Sequence, residues 1–379
     1  MKYLKKFALS LSKTQLRRLF WVGLVLIGFS VFNIEILEKI EIWGISGLIS
    51  TINNFFPWFS KMFSSTIVRV ITGIYFLFLI VILYYYVTSR PKAVVIRHSS
   101  LSNNLSGYDK SEVSGYSVSE IDINLVNLMK SDEIIKAIKI QDDLIEGVLR
   151  ECNPSTEIFY YGIAHIPLIF RAGFQIGDGG NVTPLHQFRN DRSLFKKLSN
   201  GKETYALNLV EKLNEHLSSF REMLVVVAIS FPVSNNDLIV FQEKNFCCDL
   251  HFEMSKGMFG VDVINSYDEM ERLQSEILSS IRDIVSKKEI DRIHLVLAAS
   301  SDFIFNLARK FSEHHDPEII VYQYERNSKE KYPWAISNKL SADRAVIYQT
   351  ISETKNAPAS SSTTTATNST AQPAPPSTA

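Results

Sequence analysis

The sequence predicts an α/β protein in which two N-terminal membrane helices precede a domain built on a largely parallel sheet. Two uncharged apolar runs occur before residue 90, at residues 19–34 and 70–87. From residue 93 onward, short apolar segments alternate with amphipathic ones, which is typical of strand and helix repeated in turn. Two stretches of this second part, residues 158–192 and 293–327, also resemble copies of one unit.

The composition excludes several classes of protein. The 379 residues include 40 basic and 40 acidic side chains, and 46% of them are hydrophobic. This balance excludes a globally basic nucleic-acid binder, so we expect no DNA or RNA partner, and it excludes a wholly disordered chain. Three cysteines are too few for a disulfide framework in a chain of this length. The adjacent Cys247 and Cys248 lack a second pair to complete a four-ligand metal site, so we interpret them as strand residues.

The first apolar run, residues 19–34, follows a segment with several basic residues and no acid. At about 1.5 Å per residue it rises only about 24 Å, against a hydrocarbon core of about 30 Å, but Arg17 and Arg18 extend it by snorkelling. No small-residue cleavage site follows, which favours a retained helix over a signal peptide. The second run, residues 70–87, is longer and ends in interfacial tyrosines.

Basic residues flank the two runs on their outer sides, which predicts a multi-pass membrane protein with both termini in the cytoplasm. Neither run contains an ionisable residue, so a single copy is not a transporter, and a plain anchor remains an alternative. The sequence thus divides into a basic cytoplasmic N-terminus, a two-helix membrane region, a globular domain and a disordered low-complexity tail: residues 1–18, 19–90, 91–350 and 351–379.

The elements of the globular domain follow from the period of its apolar residues. We predict strands at residues 93–97, 157–164, 223–231, 237–243, 246–252, 292–298 and 319–324. We predict helices at residues 131–152, 167–175, 202–221, 267–286 and 302–314. Because ligands bind at the carboxyl ends of parallel strands, the duplicated unit predicts two equivalent crevices side by side.

The second copy of the unit carries a Leu-Ala-Ala-Ser-Ser turn at residues 297–301, then a helix, the strand residues 321–325 and the later Tyr-Pro-Trp at residues 332–334. With these features, residues 93–349 resemble the SAVED family. The resemblance implies a fold of two fused CARF-like, Rossmann-like halves that senses a cyclic oligonucleotide in bacterial antiphage signalling of the CBASS type. The two helices ahead of the domain are similar to the transmembrane effector architecture of that family.

The resemblance therefore implies a membrane effector of antiviral defence. Its expected ligand is a cyclic di- or trinucleotide made by a partner nucleotidyltransferase, and we expect no other cofactor. Binding would form a homo-oligomer whose clustered helices permeabilise the inner membrane and arrest the infected cell. The uncharged helices agree with a pore that exists only in the assembly.

The turns after Ala164 and Ala298 hold the first ligand-binding candidates, which are His165, Ser300 and Ser301. Hydroxyl groups and the free amides of a helix N-terminus bind phosphate well. The alternative is that Ser301 or Asp302 simply caps the helix, and the Asp302 carboxylate would repel a phosphate. Both interpretations stay open for Ser300, whereas Asp302 is better interpreted as a cap.

A second group of candidates lies at the ends of the next strands. Guanidinium groups bind phosphates and stack on bases, and the flat rings of Tyr and Trp provide apolar surface for a base. Taken singly, each of these residues is more often a solvated charge or a core aromatic, so only their convergence on one crevice would support a site. The candidates are Gln187, Arg189, Arg192, Tyr324, Arg326, Tyr332 and Trp334.

We expect neither catalysis nor a metal site. The glycine-rich residues 177–181 follow a helix rather than a strand, so we interpret them as a turn, and His314 and His315 lack further ligands at suitable spacing. One alternative is a membrane-anchored enzyme that degrades the same nucleotide, for which only His165 is well placed as a base. Another is an anchored platform for protein interactions, which would not respond to a soluble ligand.

Overall fold

A computed structural model describes Gln15 and residues 66–88, 90–188, 194–201, 205–213, 220–242, 244–255, 259–260 and 262–348. The first apolar run and the low-complexity tail lie outside these residues. The second run lies within helix α1, Thr66–Thr88. Within the described ranges, no helix combines the length and the apolar character needed to cross a membrane.

Two sheets with their helices follow α1. The first half contains strands β1 (Lys92–Ser99), β2 (Ser117–Asn124), β3 (Glu157–Ile163), β4 (Asn181–His186) and β5 (Lys196–Lys197), and helices α2 (Val126–Lys130), α3 (Ile134–Glu151) and α4 (Ile166–Ile176). The second half contains strands β6 (Leu207–Leu213), β7 (Glu222–Ala228), β8 (Cys248–Met254), β9 (Arg292–Ala298), β10 (Glu318–Gln323), β11 (Trp334–Ser337) and β12 (Val346–Tyr348). Its helices are α5 (Ile239–Gln242), α6 (Tyr267–Lys287), α7 (Ser301–Arg309) and α8 (Ala342–Ala345).

The predicted α/β fold is confirmed, with sheets that are mixed rather than wholly parallel. The strand order is β2-β1-β3-β4-β5 in the first sheet and β12-β11-β10-β9-β7-β8-β6 in the second. Strands β1 to β4 are parallel to one another, and so are β7 to β10. Antiparallel strands β5, β6, β11 and β12 extend the edges.

The two halves repeat one topology, as the sequence predicts. The order β2-β1-β3-β4-β5 recurs as β8-β7-β9-β10-β11. The repeat extends to buried hydrogen bonds: Gln141 Nε2 on α3 donates to the Leu168 carbonyl of α4, and Gln274 Nε2 on α6 donates to the Phe303 carbonyl of α7, both at 3.0 Å. The two copies therefore share both strand order and a helix-to-helix contact.

One continuous core joins the inner faces of both sheets. In the second sheet Val225, Leu295 and Val321 point into this core together with the apolar sides of α3, α4, α6 and α7. Their strand neighbours Leu224 and Val296 point the other way, because successive side chains of a strand alternate between its faces. The outer faces carry smaller separate clusters, covered by short connections rather than by long helices.

Helices α4 and α7 pack closely where the two halves meet. A Cβ atom at Gly173 of α4 would lie 2.3 Å from the Phe305 carbonyl oxygen and 2.9 Å from Ala308 Cβ. Beside this contact the Tyr160 ring stacks on Phe305, with 3.6 Å between ring centroids and 3° between ring planes. Only glycine allows the two backbones to approach this far.

Two predicted elements are wrong, and a third ends earlier than predicted. The predicted helix at residues 202–221 gives way to edge strand β6, and the predicted strand at residues 237–243 is a turn that leads into α5. In both places the mixture of apolar and charged residues agrees with a helical period as well as with a strand period. Pairing with β8 makes the first segment a strand, and packing on the outer face of the sheet makes the second a turn and a short helix. The predicted helix at residues 302–314 ends at Arg309, and His314 and His315 lie in a turn beyond it.

We predict opposite stability changes for two glycine-to-alanine substitutions. G173A forces a methyl group against the α7 backbone and lowers the free energy of unfolding by about 1–3 kcal/mol. G147A lies in α3, where a Cβ atom has nothing within 4 Å, and raises it by up to about 1 kcal/mol because alanine favours helix. Urea unfolding of both variants measures the two changes. Stabilisation by G173A would contradict the close approach of α4 and α7.

Candidate functional site

The strand ends of the two halves enclose a cavity of about 240 Å³, here named the strand-end cavity. Typical ligand sites measure about 300–1,000 Å³, so this one accommodates part of a larger ligand. It lies at the carboxyl ends of β3, β4, β7 and β9. The duplication predicts two equivalent crevices, whereas here strand ends of both halves line the same cavity. Its walls are Gly162, Ile163, Leu185, His186, Gln187, Phe195, Ser230, Phe231, Ala299, Ser300, Ser301 and Asp302.

Three serines line this cavity. The Ser230 side chain is 4% exposed, and its Oγ has no hydrogen-bond partner among the described residues. The Ser230 amide donates to the Ala298 carbonyl at 2.8 Å, which holds the residue beside the turn that carries Ser300 and Ser301. An unsatisfied buried hydroxyl costs about 1–3 kcal/mol, so a ligand that bonds to it recovers this free energy.

Helix α7 begins at this cavity. Ser300 occupies its N-cap position with an extended backbone but makes no side-chain bond to the helix amides. The cap position therefore belongs to Ser300 rather than to Ser301 or Asp302, and its hydroxyl bonds to the Asp302 carboxylate rather than to an amide of the first turn. Asp302 lies within the first turn, where it pairs with the other half of the domain.

A buried ion pair joins the two halves beside the cavity. His186 ends β4 and is 2% exposed; its Nδ1 donates to Asp302 Oδ1 at 3.1 Å, and its Nε2 donates to Asp262 Oδ1 at 3.3 Å. An imidazole that donates through both nitrogens is protonated. His186 was not among the residues predicted from the sequence, although a polar residue at the end of an apolar strand indicates a candidate site residue.

The pKa values of this pair follow from two opposed effects. Burial disfavours the charged form of His186, but the attraction of Asp302 and the hydrogen bonds to Asp302 and Asp262 outweigh it and raise the His186 pKa above 6.5. Burial likewise acts to raise the Asp302 pKa, but the His186 charge and several hydrogen bonds lower it below 3.8. Each group therefore holds the other in its charged form.

The two halves meet at two equivalent crossings. The first is the His186–Asp302 pair, where β4 ends beside the start of α7, and the second lies where β10 ends beside the start of α4. The Ile166 amide donates to Gln323 Oε1 at 3.0 Å, as His186 meets Asp302 in the first crossing. Here the His165 ring lies 5.8 Å from the Trp334 ring, and His165 Nδ1 lies 2.7 Å from Ser100 Oγ. Burial lowers the His165 pKa to about 4, so the ring is neutral near pH 7.

The predicted ligand residues divide between several places. Gln187, Ser300 and Ser301 meet in the strand-end cavity, whereas His165 and Trp334 lie together at the second crossing. Tyr332 is buried on the outer face of the second sheet against Phe241, with Tyr324 beside it. Arg326 is exposed in the turn after β10, and Arg189 and Arg192 lie outside the described residues. Their roles in binding stay predictions.

Cysteine and metal chemistry have little support in the described residues. No group of three or more His, Cys, Asp and Glu side chains there is arranged to hold a metal ion. Cys247 and Cys248 are buried free thiols at the start of β8, and burial raises the Cys248 pKa to about 12. Such a thiol is protonated and unreactive near pH 7.

Comparison with known proteins identifies one family. The family model for SAVED, the SMODS-associated and fused to various effectors sensor domain, matches residues 141–337. No curated protein matches the sequence.

Solved structures that are similar to this chain include Cap4 SAVED/CARF-domain containing receptors. The Acinetobacter baumannii receptor with 2′3′3′-cAAA shows 14% identity over 70% of this chain and 56% of that chain, with a TM-score of 0.48. The same receptor with 3′3′3′-cAAA shows 14% identity over 69% of this chain and 55% of that chain, with a TM-score of 0.47. The Moraxella osloensis receptor shows 13% identity over 69% of this chain and 59% of that chain, with a TM-score of 0.38. This chain thus spans less than two thirds of the length of these receptors.

We predict a pH dependence for the His186 pair. Because the His186 pKa is raised on folding, the stability it adds is fully present below about pH 6.5 and declines as the pH rises through the raised value. Asp302 stays ionised throughout, since its pKa is lowered. Melting temperatures of the wild type and H186Q from about pH 5.5 to about pH 8.5 should converge toward the alkaline end. Parallel curves would show that His186 is not charged.

Proposed function

Because the chain belongs to the SAVED family of sensor domains, we propose that it senses a cyclic di- or trinucleotide through the crevice between its two halves. The observation that carries this proposal is the strand-end cavity, which Ser230, Ser300 and Ser301 line beside the N-terminus of α7. Phosphate oxygens accept hydrogen bonds from hydroxyl and amide donors of this kind.

The remaining walls suit a nucleotide as well. Gln187 Nε2 donates to Ser106 Oγ at 2.8 Å, which fixes the amide and leaves its oxygen to accept from a base. His186 neutralises Asp302, so the carboxylate at the start of α7 no longer repels a phosphate. The cavity accommodates one nucleotide unit, and the rest of the cyclic ligand lies outside it.

We further propose that ligand binding produces a homo-oligomer and that the clustered N-terminal helices permeabilise the inner membrane. Two uncharged apolar runs precede the domain, and helix α1 exposes large apolar side chains along its length: Val70, Ile74, Leu77, Phe78, Ile80 and Leu83. Helix α1 ends at Thr88 and β1 begins at Lys92, so a short connection transmits movement of the domain to the helix. A partner nucleotidyltransferase supplies the ligand in this scheme.

The proposed protein is a sensor and effector rather than an enzyme. His165 is the candidate base of the enzymatic alternative, but Ser100 Oγ accepts from the His165 amide at 2.7 Å and also contacts its ring. This double contact ties the turn after β3 to the end of β1, which gives His165 a structural role.

Light scattering tests this function. The full chain in detergent is titrated with a panel of cyclic di- and trinucleotides, and chromatography shows whether each nucleotide stays intact. We expect assembly with the ligand left intact. Loss of the ligand without assembly would favour the enzyme, and no response would favour the interaction platform.

Ser230 supplies a sharp variant for the same titration. S230A should weaken binding of the active nucleotide by about fivefold to tenfold without lowering the melting temperature, because the hydroxyl has no partner among the described residues of the free protein. S275A is the matched control, since the exposed Ser275 hydroxyl donates to the Glu271 carbonyl within α6. Equal affinities of S230A and S275A would contradict the proposed site.

Removal of residues 1–86 should separate sensing from membrane damage. The shortened chain retains the strand-end cavity, so its nucleotide affinity should stay within about twofold of that of the full chain. It lacks the apolar runs, so it should no longer release dye from lipid vesicles when nucleotide is added. Dye release by the shortened chain would disprove the role proposed for the helices.

A further inference from the structure

A second cavity lies on the outer face of the second sheet, away from the strand-end cavity. It measures about 570 Å³, within the range of about 300–1,000 Å³ that is typical of ligand sites. The connection from β7 to β8, which includes α5, forms much of its wall. Five polar side chains that carry positive charge or amide groups face it: Lys212, Asn235, Gln242, Lys244 and Asn245.

Lys244 is the central group of this cavity. Its Nζ donates to Tyr322 Oη at 3.2 Å and lies 5.4 Å from the centroid of the Tyr322 ring and 5.8 Å from that of Phe241. Among the described residues it forms no ion pair with a carboxylate. The two aromatic rings therefore stabilise the positive charge of Lys244. Its ammonium group has three N–H donors, and the bond to Tyr322 uses one of them, so donors remain for a ligand.

A directional chain of hydrogen bonds fixes Lys244 in place. His294 Nε2 lies 2.9 Å from Glu222 Oε2, and His294 Nδ1 lies 2.6 Å from Tyr322 Oη. A carboxylate only accepts, so Nε2 donates to Glu222, the Tyr322 hydroxyl donates to Nδ1, and the tyrosine oxygen accepts from Lys244. Burial, together with the Lys244 charge, lowers the His294 pKa to about 4, so the ring stays neutral and the chain keeps its direction near pH 7.

The other walls of the cavity add flat apolar surface and polar edges. Phe241 and Phe246 belong to the buried cluster of this outer face, and both line the cavity. Asp249 on β8 also lines it and is the cross-strand partner of Lys212, so its carboxylate offsets the charge of Lys212 and leaves Lys244 as the main cation for an anionic ligand. The cavity thus combines two cations, one carboxylate, three amides and two aromatic rings.

We propose that this cavity binds a second ligand, a nucleoside monophosphate, with its phosphate on Lys244 and its base against the phenylalanine rings. The amides of Asn235, Gln242 and Asn245 are placed to bond the edge of the base. This site goes beyond the proposed function, because it lies on the opposite face of the sheet from α6 and α7 and shares no lining residue with the strand-end cavity.

Calorimetric titration of the full chain with adenosine monophosphate tests this site. K244M should weaken binding at least about tenfold, the effect of losing one charge-assisted hydrogen bond. K212Q, at an exposed position of edge strand β6, should weaken it about threefold or more without a risk to folding. K287Q, at an exposed site on α6, is the matched control and should leave the affinity unchanged.

Two further measurements assign the ligand and its place. Adenosine without the phosphate should bind more weakly than adenosine monophosphate, and S230A should leave the affinity for the monophosphate unchanged. The proposal is overturned if the wild type does not bind adenosine monophosphate, or if K244M and K212Q bind it as tightly as K287Q does. It is also overturned if S230A weakens binding as much as K244M, because the ligand would then occupy the strand-end cavity.

Discussion

The close contact between α4 and α7 is the constraint on which the rest of this structure depends. Gly173 allows the two helices to approach until backbone meets backbone, and the stacked rings of Tyr160 and Phe305 extend the contact. Since these helices follow β3 and β9, their packing brings the carboxyl ends of strands from both halves to one place. A larger residue at position 173 would separate the strand ends and with them the walls of the strand-end cavity.

Polar contacts across the same junction make the cavity suitable for an anion. An aspartate in the first turn of a helix normally competes with a phosphate for the helix amides. Here His186 from the other half neutralises Asp302, so the sequence-based objection to a phosphate at this turn is removed. Breaking a buried pair of this kind costs about 3–5 kcal/mol, so a ligand that binds beside it meets a rigid wall shared by both halves.

The two faces of the second sheet differ because of the connections that cover them. Long helices α6 and α7 fill the inner face, whereas the connection from β7 to β8 contains only the short helix α5. The outer face therefore retains a cavity whose Lys244 is held by aromatic rings and by a tyrosine-histidine-glutamate chain. One sheet thus presents hydroxyl groups at its strand ends and cationic groups on its outer side.

The sequence by itself determined the α/β class, the duplication and the turn that carries Ser300 and Ser301. Nearly continuous apolar runs such as residues 292–298 are typical of the buried strands of a parallel sheet. Only the tertiary structure decided that residues 207–213 form an edge strand, that Tyr332 lies on the outer face, and that His186 pairs with Asp302. These outcomes depend on partners distant in sequence: β6 is set by its register with β8, and the pair joins residues 116 positions apart. Local periodicity contains no information about such contacts, since pairing and packing energies arise only when the two halves meet.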